Sequence, residues 1–334
     1  MSQQKFCLFA PVMAAALSLG AVAEEVKSPA FDQRLTGYDY PFEVQTYGFE
    51  SQGQSLEMAY MHLPAEEGRP TIVLLHGKNF NGAYWEDTAL AAQEAGYGVV
   101  MPDQIGFGKS SKPTDYQYSF SQLALTTHEL LDSLDVDTAI VVGHSMGGML
   151  ASRYALSYPE ATERLILINP IGLEDYLDYS TYPSISSAYR GQLNQTPEGI
   201  IAYQKQNYYD GAWSADYEAL TVPLAGWTRG PDKEVIAYTA ALTYDMILTQ
   251  PVIDDFENIS VPTSLIIGTR DTTGPNRANI RPDVDYEFGR YDELGARAAA
   301  LIPDSELFEL EDLGHLPQIE AFDRFLPVFL EALD

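Results

Sequence analysis

Apolar residues in this chain fall into short unbroken blocks separated by longer stretches of helical period. Thr71-Ile72-Val73-Leu74-Leu75, Tyr97-Gly98-Val99-Val100-Met101, Thr138-Ala139-Ile140-Val141-Val142, Leu165-Ile166-Leu167-Ile168 and Ser264-Leu265-Ile266-Ile267 are the clearest blocks. Runs this short and rich in branched residues read as strands buried on both faces. Helical stretches stand between them, at about Ala83 to Ala95, Ser119 to Ser133 and Met146 to Ser157. After the last block come a helix near Tyr291 to Leu301, a strand from Glu306 to Leu310 and a helix from about Pro317 to Leu333. Upstream, Phe42 to Phe49 and Ser55 to Leu63 alternate in part across the turn-like Ser51-Gln52-Gly53-Gln54, which predicts an antiparallel hairpin. Residues 24–40 read as a loosely held lead-in. Strand and helix in strict alternation predict an α/β fold: a mostly parallel, doubly wound sheet with helices on both faces.

The alternation stops at Asn169-Pro170, after the sixth strand, and resumes only at Ser264. The interval, about 171–255, holds ten tyrosines and two tryptophans and shows no clear strand. Its periodicity suggests several helices, for example Glu198 to Asn207 and Lys233 to Leu248. A helical insertion between two strands of one sheet reads as a cap over the C-terminal sheet edge, where open α/β sheets place their ligands. The expected organisation is therefore a leader at 1–23, a core at 24–170 and 256–334, and the cap at 171–255. Gly226, Gly230, Pro251 and Pro262 would permit a hinge near the ends of the cap.

The leader is legible in residue order. Lys5 precedes an apolar run from Phe6 to Leu19, too short to span a membrane, and Ala21-Val22-Ala23 supplies the small residues that a signal peptidase reads. Cleavage would leave Glu24 first and predicts an exported, periplasmic or secreted protein. The single cysteine, Cys7, would leave with the leader, so neither a disulfide framework nor a thiolate metal site is expected. With 48 acidic and 19 basic residues the formal charge is −29, which repels nucleic acid and anionic membranes. No later run approaches the roughly 20 apolar residues of a membrane span.

Candidate chemistry sits where strands end. Gly143-His144-Ser145-Met146-Gly147 follows a buried strand and opens a helix, the arrangement of a nucleophile elbow. So tight a turn forces Ser145 into strained dihedrals and leaves no room for side chains at Gly143 and Gly147. The free amide of Met146 at the helix start can then face a developing oxyanion. His76-Gly77-Lys78-Asn79 ends an earlier strand; Lys78, or next Asn79, is the choice for a second amide donor. Of five histidines, His62 falls in the hairpin, His128 falls mid-helix, His76 reads as a structural hydrogen-bonding residue and His144 should point away from the serine. His315, in the loop before the last helix, is left as the base. Asp271, past the Leu265 strand, is the acid expected to accept the Nδ1–H of His315, with Glu174 and Asp175 as fallback.

At these residues the chain resembles the α/β-hydrolase family, whose order of serine, acid and histidine it shares. The loops His76-Gly77 and Pro102-Asp103-Gln104-Ile105-Gly106-Phe107-Gly108-Lys109-Ser110 are most similar to the capped branch, which includes esterases, lactonases, carbon–carbon hydrolases of aromatic ring-fission products, dehalogenases and epoxide hydrolases. Dehalogenases and epoxide hydrolases carry aspartate at the elbow, so Ser145 implies attack on a carbonyl instead. Met146 stands where proline iminopeptidases usually have tryptophan. The resemblance implies a carboxylic ester or lactone hydrolase that needs no cofactor or metal. A carbon–carbon hydrolase is the alternative, with Arg270 or Arg277 to hold a substrate carboxylate; a non-catalytic binding protein of the same fold is the third reading. The cap aromatics, such as Tyr176, Trp213 and Trp227, are candidates to line a pocket for a small neutral or aromatic acyl compound, or else pack the cap on the sheet.

Overall fold

The computed structural model describes residues 29–334. The expected leader, with Cys7 and the cleavage point, lies outside the described residues. Eight strands form one sheet: β1 (Val44–Ser51), β2 (Gln54–Leu63), β3 (Thr71–Leu75), β4 (Gly98–Pro102), β5 (Ala139–His144), β6 (Thr162–Ile168), β7 (Thr263–Gly268) and β8 (Ser305–Leu310). Their order is β1-β2-β4-β3-β5-β6-β7-β8, with β1 and β2 antiparallel and β4 through β8 parallel. The hairpin turn at Gln52 and Gly53 has positive φ at both positions, 50° and 74°, which matches the right-handed twist of its strands.

Period-two alternation inside the apolar blocks builds two cores from one sheet. Ile72, Leu74, Val99, Met101, Ile140, Val142, Ile166, Ile168 and Ile266 face one side, packed with Trp85, Phe325 and Phe329. These come from the segment around α1 (Glu86–Glu94) and from α10 (Phe322–Leu333). Val73, Leu75, Val100, Val141, Leu165, Leu167, Leu265 and Ile267 face the other, under α2 (Phe120–Ser133), α3 (Met146–Ser157) and α8 (Tyr291–Ala299). Each fully buried Val, Leu or Ile contributes roughly 1.5–3 kcal/mol. The last helix, expected to be continuous, is broken at Ala321 (φ −150°) into α9 (Pro317–Glu320) and α10. The break lets α9 follow the His315 loop while α10 turns Phe325 and Phe329 onto the sheet.

Between β6 and β7 lie α4 (Ile185–Leu193), α5 (Pro197–Asn207), α6 (Ala215–Trp227) and α7 (Lys233–Thr249). Ser184, Thr196 and Ser214 cap the first three, each side chain accepting from a backbone N–H three residues on. α4 packs on α7 and α5 on α6. Tyrosines serve these contacts: Tyr209 stacks on Tyr217 at 3.7 Å and Tyr189 meets Tyr238 edge-on at 5.6 Å. The lead-in, over residues 29–40, is not loose. Phe31 and Leu35 are buried against Trp227, and the Phe31 amide donates to the Gly226 carbonyl at 3.2 Å. A Cβ at Gly226 or Gly230 would collide with Phe31, so close packing, rather than a hinge, accounts for both glycines.

Candidate active site

Ser145 occupies φ 56°, ψ −122° at the junction of β5 and α3, a strained conformation for any residue but glycine. The turn closes because a Cβ at Gly143 would strike the Gly147 carbonyl and one at Gly147 would strike the Leu75 carbonyl. The serine side chain is thereby held beside the end of β3. There a Cβ on Gly77 would lie 3.0 Å from the Ser145 Cβ.

From the loop after β8, the fully buried His315 reaches this serine. Its Nε2 lies 2.9 Å from Ser145 Oγ and its Nδ1 lies 2.7 Å from Asp271 Oδ2. With the Asp271 carboxylate ionised, Nδ1–H donates to it, and Nε2 is left to accept the serine proton. Asp271, just past β7, also accepts from the Asn169 side chain at 3.0 Å and from the Thr273 amide at 2.8 Å. Glu174 and Asp175 take no part in this chain of bonds: Glu174 accepts from Tyr286 Oη and the Gly289 amide, and Asp175 caps the turn at Tyr176.

Burial holds the imidazoles of His144 and His76 below their ordinary range and so favours their neutral forms. His144 turns away from the serine. Its Nε2–H donates to the His315 carbonyl at 2.8 Å, and its Nδ1 accepts from Tyr84 Oη at 2.9 Å. His76 accepts from the Gln104 amide and donates to the Gly77 carbonyl, bracing the loop that carries Lys78. Among the described residues, neither the Lys78 nor the Met146 amide donates to a protein acceptor. The half-buried Lys78 side chain runs the other way, to the Ala240 carbonyl at 2.9 Å and the Thr243 hydroxyl at 2.8 Å, both on α7. Burial alone lowers its pKa to about 7.

A cavity of about 710 Å³ opens over Ser145. Its walls come from α4, α5, α7 and the loop 273–279 after β7, and its aromatic residues are Tyr203, Tyr208 and Tyr244. The three aromatics singled out from sequence lie elsewhere. Tyr176 is buried against Phe288, and its hydroxyl accepts from the Gly172 amide. Trp213 packs against Tyr209 and Tyr217 inside the cap. Trp227 anchors the N-terminal segment through a bond to the Asp32 carbonyl and lines a smaller adjoining cleft. Arg270 is committed to Glu320, whereas Arg277 lines the cavity and donates to the Thr272 and Phe288 carbonyls.

Two residues that sequence reasoning passed over belong to the site. Asn169, at φ 35° where β6 ends, ties β6 to β7 by exchanging bonds with Gly268 while it holds Asp271. Its signal was a polar residue closing an otherwise apolar strand. Tyr208, past the end of α5, stacks on His315 at 4.6 Å. Nothing local set it apart from the other nine cap tyrosines.

Sheet order, elbow and cap together define a class, and comparison with known proteins agrees with it. The family described as alpha/beta hydrolase fold matches residues 70–322, and the chain belongs to that family. It is a hydrolytic enzyme. In structure it is similar to a probable hydrolytic enzyme from Pseudomonas aeruginosa PAO1: 46% identity, TM-score 0.89, 92% of this chain and 99% of that one covered. In sequence it is 27% identical to Lipase 1 of Psychrobacter immobilis over 281 residues, 80% of this chain and 78% of the lipase. It is also 26% identical to Lipase 3 of Moraxella sp. (strain TA144) over 273 residues, 79% of this chain and 77% of that lipase.

Proposed function

We propose that this protein is an exported serine hydrolase that cleaves a carboxylic ester or lactone through an acyl-enzyme on Ser145. The observation that carries the reading is His315 bridging the Ser145 hydroxyl and the Asp271 carboxylate, at 2.9 and 2.7 Å, beside a cavity of about 710 Å³ that Ser145 lines. Similarity to two lipases supports an ester bond as the target. The order of charge, apolar run and small residues before Glu24 supports export.

In the first half-reaction Ser145 Oγ attacks the carbonyl carbon while its proton passes to His315 Nε2. Negative charge gathers on the former carbonyl oxygen, within reach of the Met146 and Lys78 amides. Collapse of this intermediate breaks the carbon–oxygen bond, and the alkoxide takes the proton from Nε2. Water then repeats the cycle on the acyl-enzyme: it loses a proton to Nε2, Ser145 leaves with that proton, and the carboxylic acid is free. Throughout, Asp271 holds the imidazole in the tautomer that leaves Nε2 able to accept. The cavity volume lies within the range of about 300–1,000 Å³ common for small-molecule sites.

The test is steady-state hydrolysis of p-nitrophenyl esters of increasing chain length by the chain from Glu24, with fluorophosphonate labelling alongside. Turnover and labelling are both expected in the wild type, and both should vanish in Ser145→Ala. A wild-type protein that neither turns over an ester nor takes the label would overturn the proposal.

A further inference from the structure

The wall of the Ser145 cavity differs from the rest of the molecule in composition. The chain carries 48 acidic residues, yet no aspartate or glutamate is found among the described residues lining this cavity. Carboxamides stand there instead, Gln204 among them. Gln204 lies on α5, one helical turn before Tyr208, and its backbone carbonyl accepts from the Tyr208 amide at 2.8 Å. Its side chain is fully buried, and neither Oε1 nor Nε2 has a hydrogen-bond partner. Thr273, on the opposite element, is similar. Its amide holds Asp271, its buried hydroxyl has no partner, and the residue lines the cavity.

Unpartnered buried polar groups cost free energy and are rare in native proteins, so each calls for an explanation. Nearby, Asn169 bonds Gly268 and Asp271, Asn276 bonds Ser180 and Thr181, and Thr243 bonds its own helix and Lys78, whereas Gln318 and the Nε of Arg270 are unpartnered too but do not line the cavity. Gln204 and Thr273 are exceptions that flank the reacting centre, one beside the ring stacked on His315 and one two residues past Asp271. A glutamine with both ends open presents a donor and an acceptor together. A plain hydrocarbon acyl chain satisfies neither.

We propose that Gln204 and Thr273 form a polar subsite that recognises an amide on the substrate, so that the preferred ester or lactone carries an amide close to its scissile carbonyl. The inference rests on the ester-hydrolase reading and narrows its substrate class. Its physical basis is asymmetry: a site built to hydrogen-bond a substrate group discriminates strongly against the analogue that lacks it, because its own polar groups then stay unpaired.

The experiment compares kcat/KM for two matched pairs of esters, the chain length equal within each. One pair is p-nitrophenyl heptanoate and its analogue with an amide replacing internal methylenes. The other is pentyl acetate and the acetate of N-acetylethanolamine, followed by acid release. In at least one pair the wild type should favour the amide ester by about tenfold or more. Gln204→Met and Thr273→Val should level that preference, the loss of rate being larger on the amide ester than on its plain partner. Melting temperature should not fall in either variant, because the groups removed have no partner in the folded protein. Equal preference in wild type and variants, with turnover intact, overturns the subsite and leaves the serine hydrolase standing. Absence of wild-type turnover on all four esters removes the hydrolase reading and the subsite with it.

Discussion

The ring of Tyr208 lies stacked on the imidazole of His315, centroids 4.6 Å apart, and the Tyr208 carbonyl accepts from the His315 amide at 3.3 Å. The insertion between β6 and β7 therefore touches His315 directly, with the Tyr208 hydroxyl itself held by Asn79 at 2.7 Å. Aromatic pairs of this kind are worth about 0.5–1.5 kcal/mol, which corresponds to up to roughly tenfold in rate when the ring to be positioned is the base. Tyr208→Leu should lower kcat by about that factor, whereas Tyr208→Phe, which keeps the ring, should stay within about threefold. Equal losses in the two variants would mean that the hydroxyl, and not the stacking, positions His315.

Strain at the elbow makes a prediction about stability. At φ 56°, ψ −122°, Ser145 occupies a region that costs non-glycine residues about 1–3 kcal/mol, set against about 0.5–1 kcal/mol of extra chain entropy lost by glycine. Ser145→Gly should thus be more stable than Ser145→Ala by roughly 1 kcal/mol in urea titration, with both inactive. The opposite order would show that the conformation carries no strain.

Asn169 donates to Asp271 at 3.0 Å, and Asn169→Asp would put a second carboxyl in its place. Two buried carboxyls this close share a proton, so one pKa in the folded variant rises above its unfolded value. A carboxyl raised in this way loses stability as pH climbs through the folded pKa, because only the folded state must hold on to the proton. The melting-temperature deficit of the variant should therefore widen between about pH 5 and about pH 8. A constant deficit would mean that Asp271 does not feel the new charge.

Lys78 titrates in the opposite sense. Burial brings it down to about 7 from 10.5, so between those values the unfolded chain keeps a proton that the folded protein has released. Stability rises with pH wherever the unfolded state binds more protons, and Lys78→Met removes that rise. Melting temperature, variant minus wild type, should decline steadily from about pH 7 to about pH 10. A flat difference would place the folded-state pKa in the ordinary lysine range.

Export has its own test. Produced with its full N-terminus in a Gram-negative host, the protein recovered from the periplasm should begin at Glu24. Recovery from the cytoplasm with residues 1–23 still attached would overturn that reading.

Much of this protein was determined by local patterns. Unbroken apolar runs marked the parallel strands because a strand covered on both faces needs apolar side chains at every position. Gly143, Ser145 and Gly147 were legible because a turn that tight excludes side chains whatever surrounds it. His315 and Asp271 could be placed because they follow strands, and every parallel strand of the sheet ends at the same edge. Other features came only with the tertiary structure. Asn169 meets Asp271 across 102 residues of sequence. Ten tyrosines fall between residues 171 and 255 with nothing local to tell them apart, yet Tyr208 reaches His315 while Tyr176 is buried against Phe288. Gln204 looks like any helical glutamine until its burial and its missing partners are seen together. Periodicity reports which residues share a face, but the partner of that face is chosen by packing between distant segments, and there the roles of Asn169, Tyr208 and Gln204 were decided.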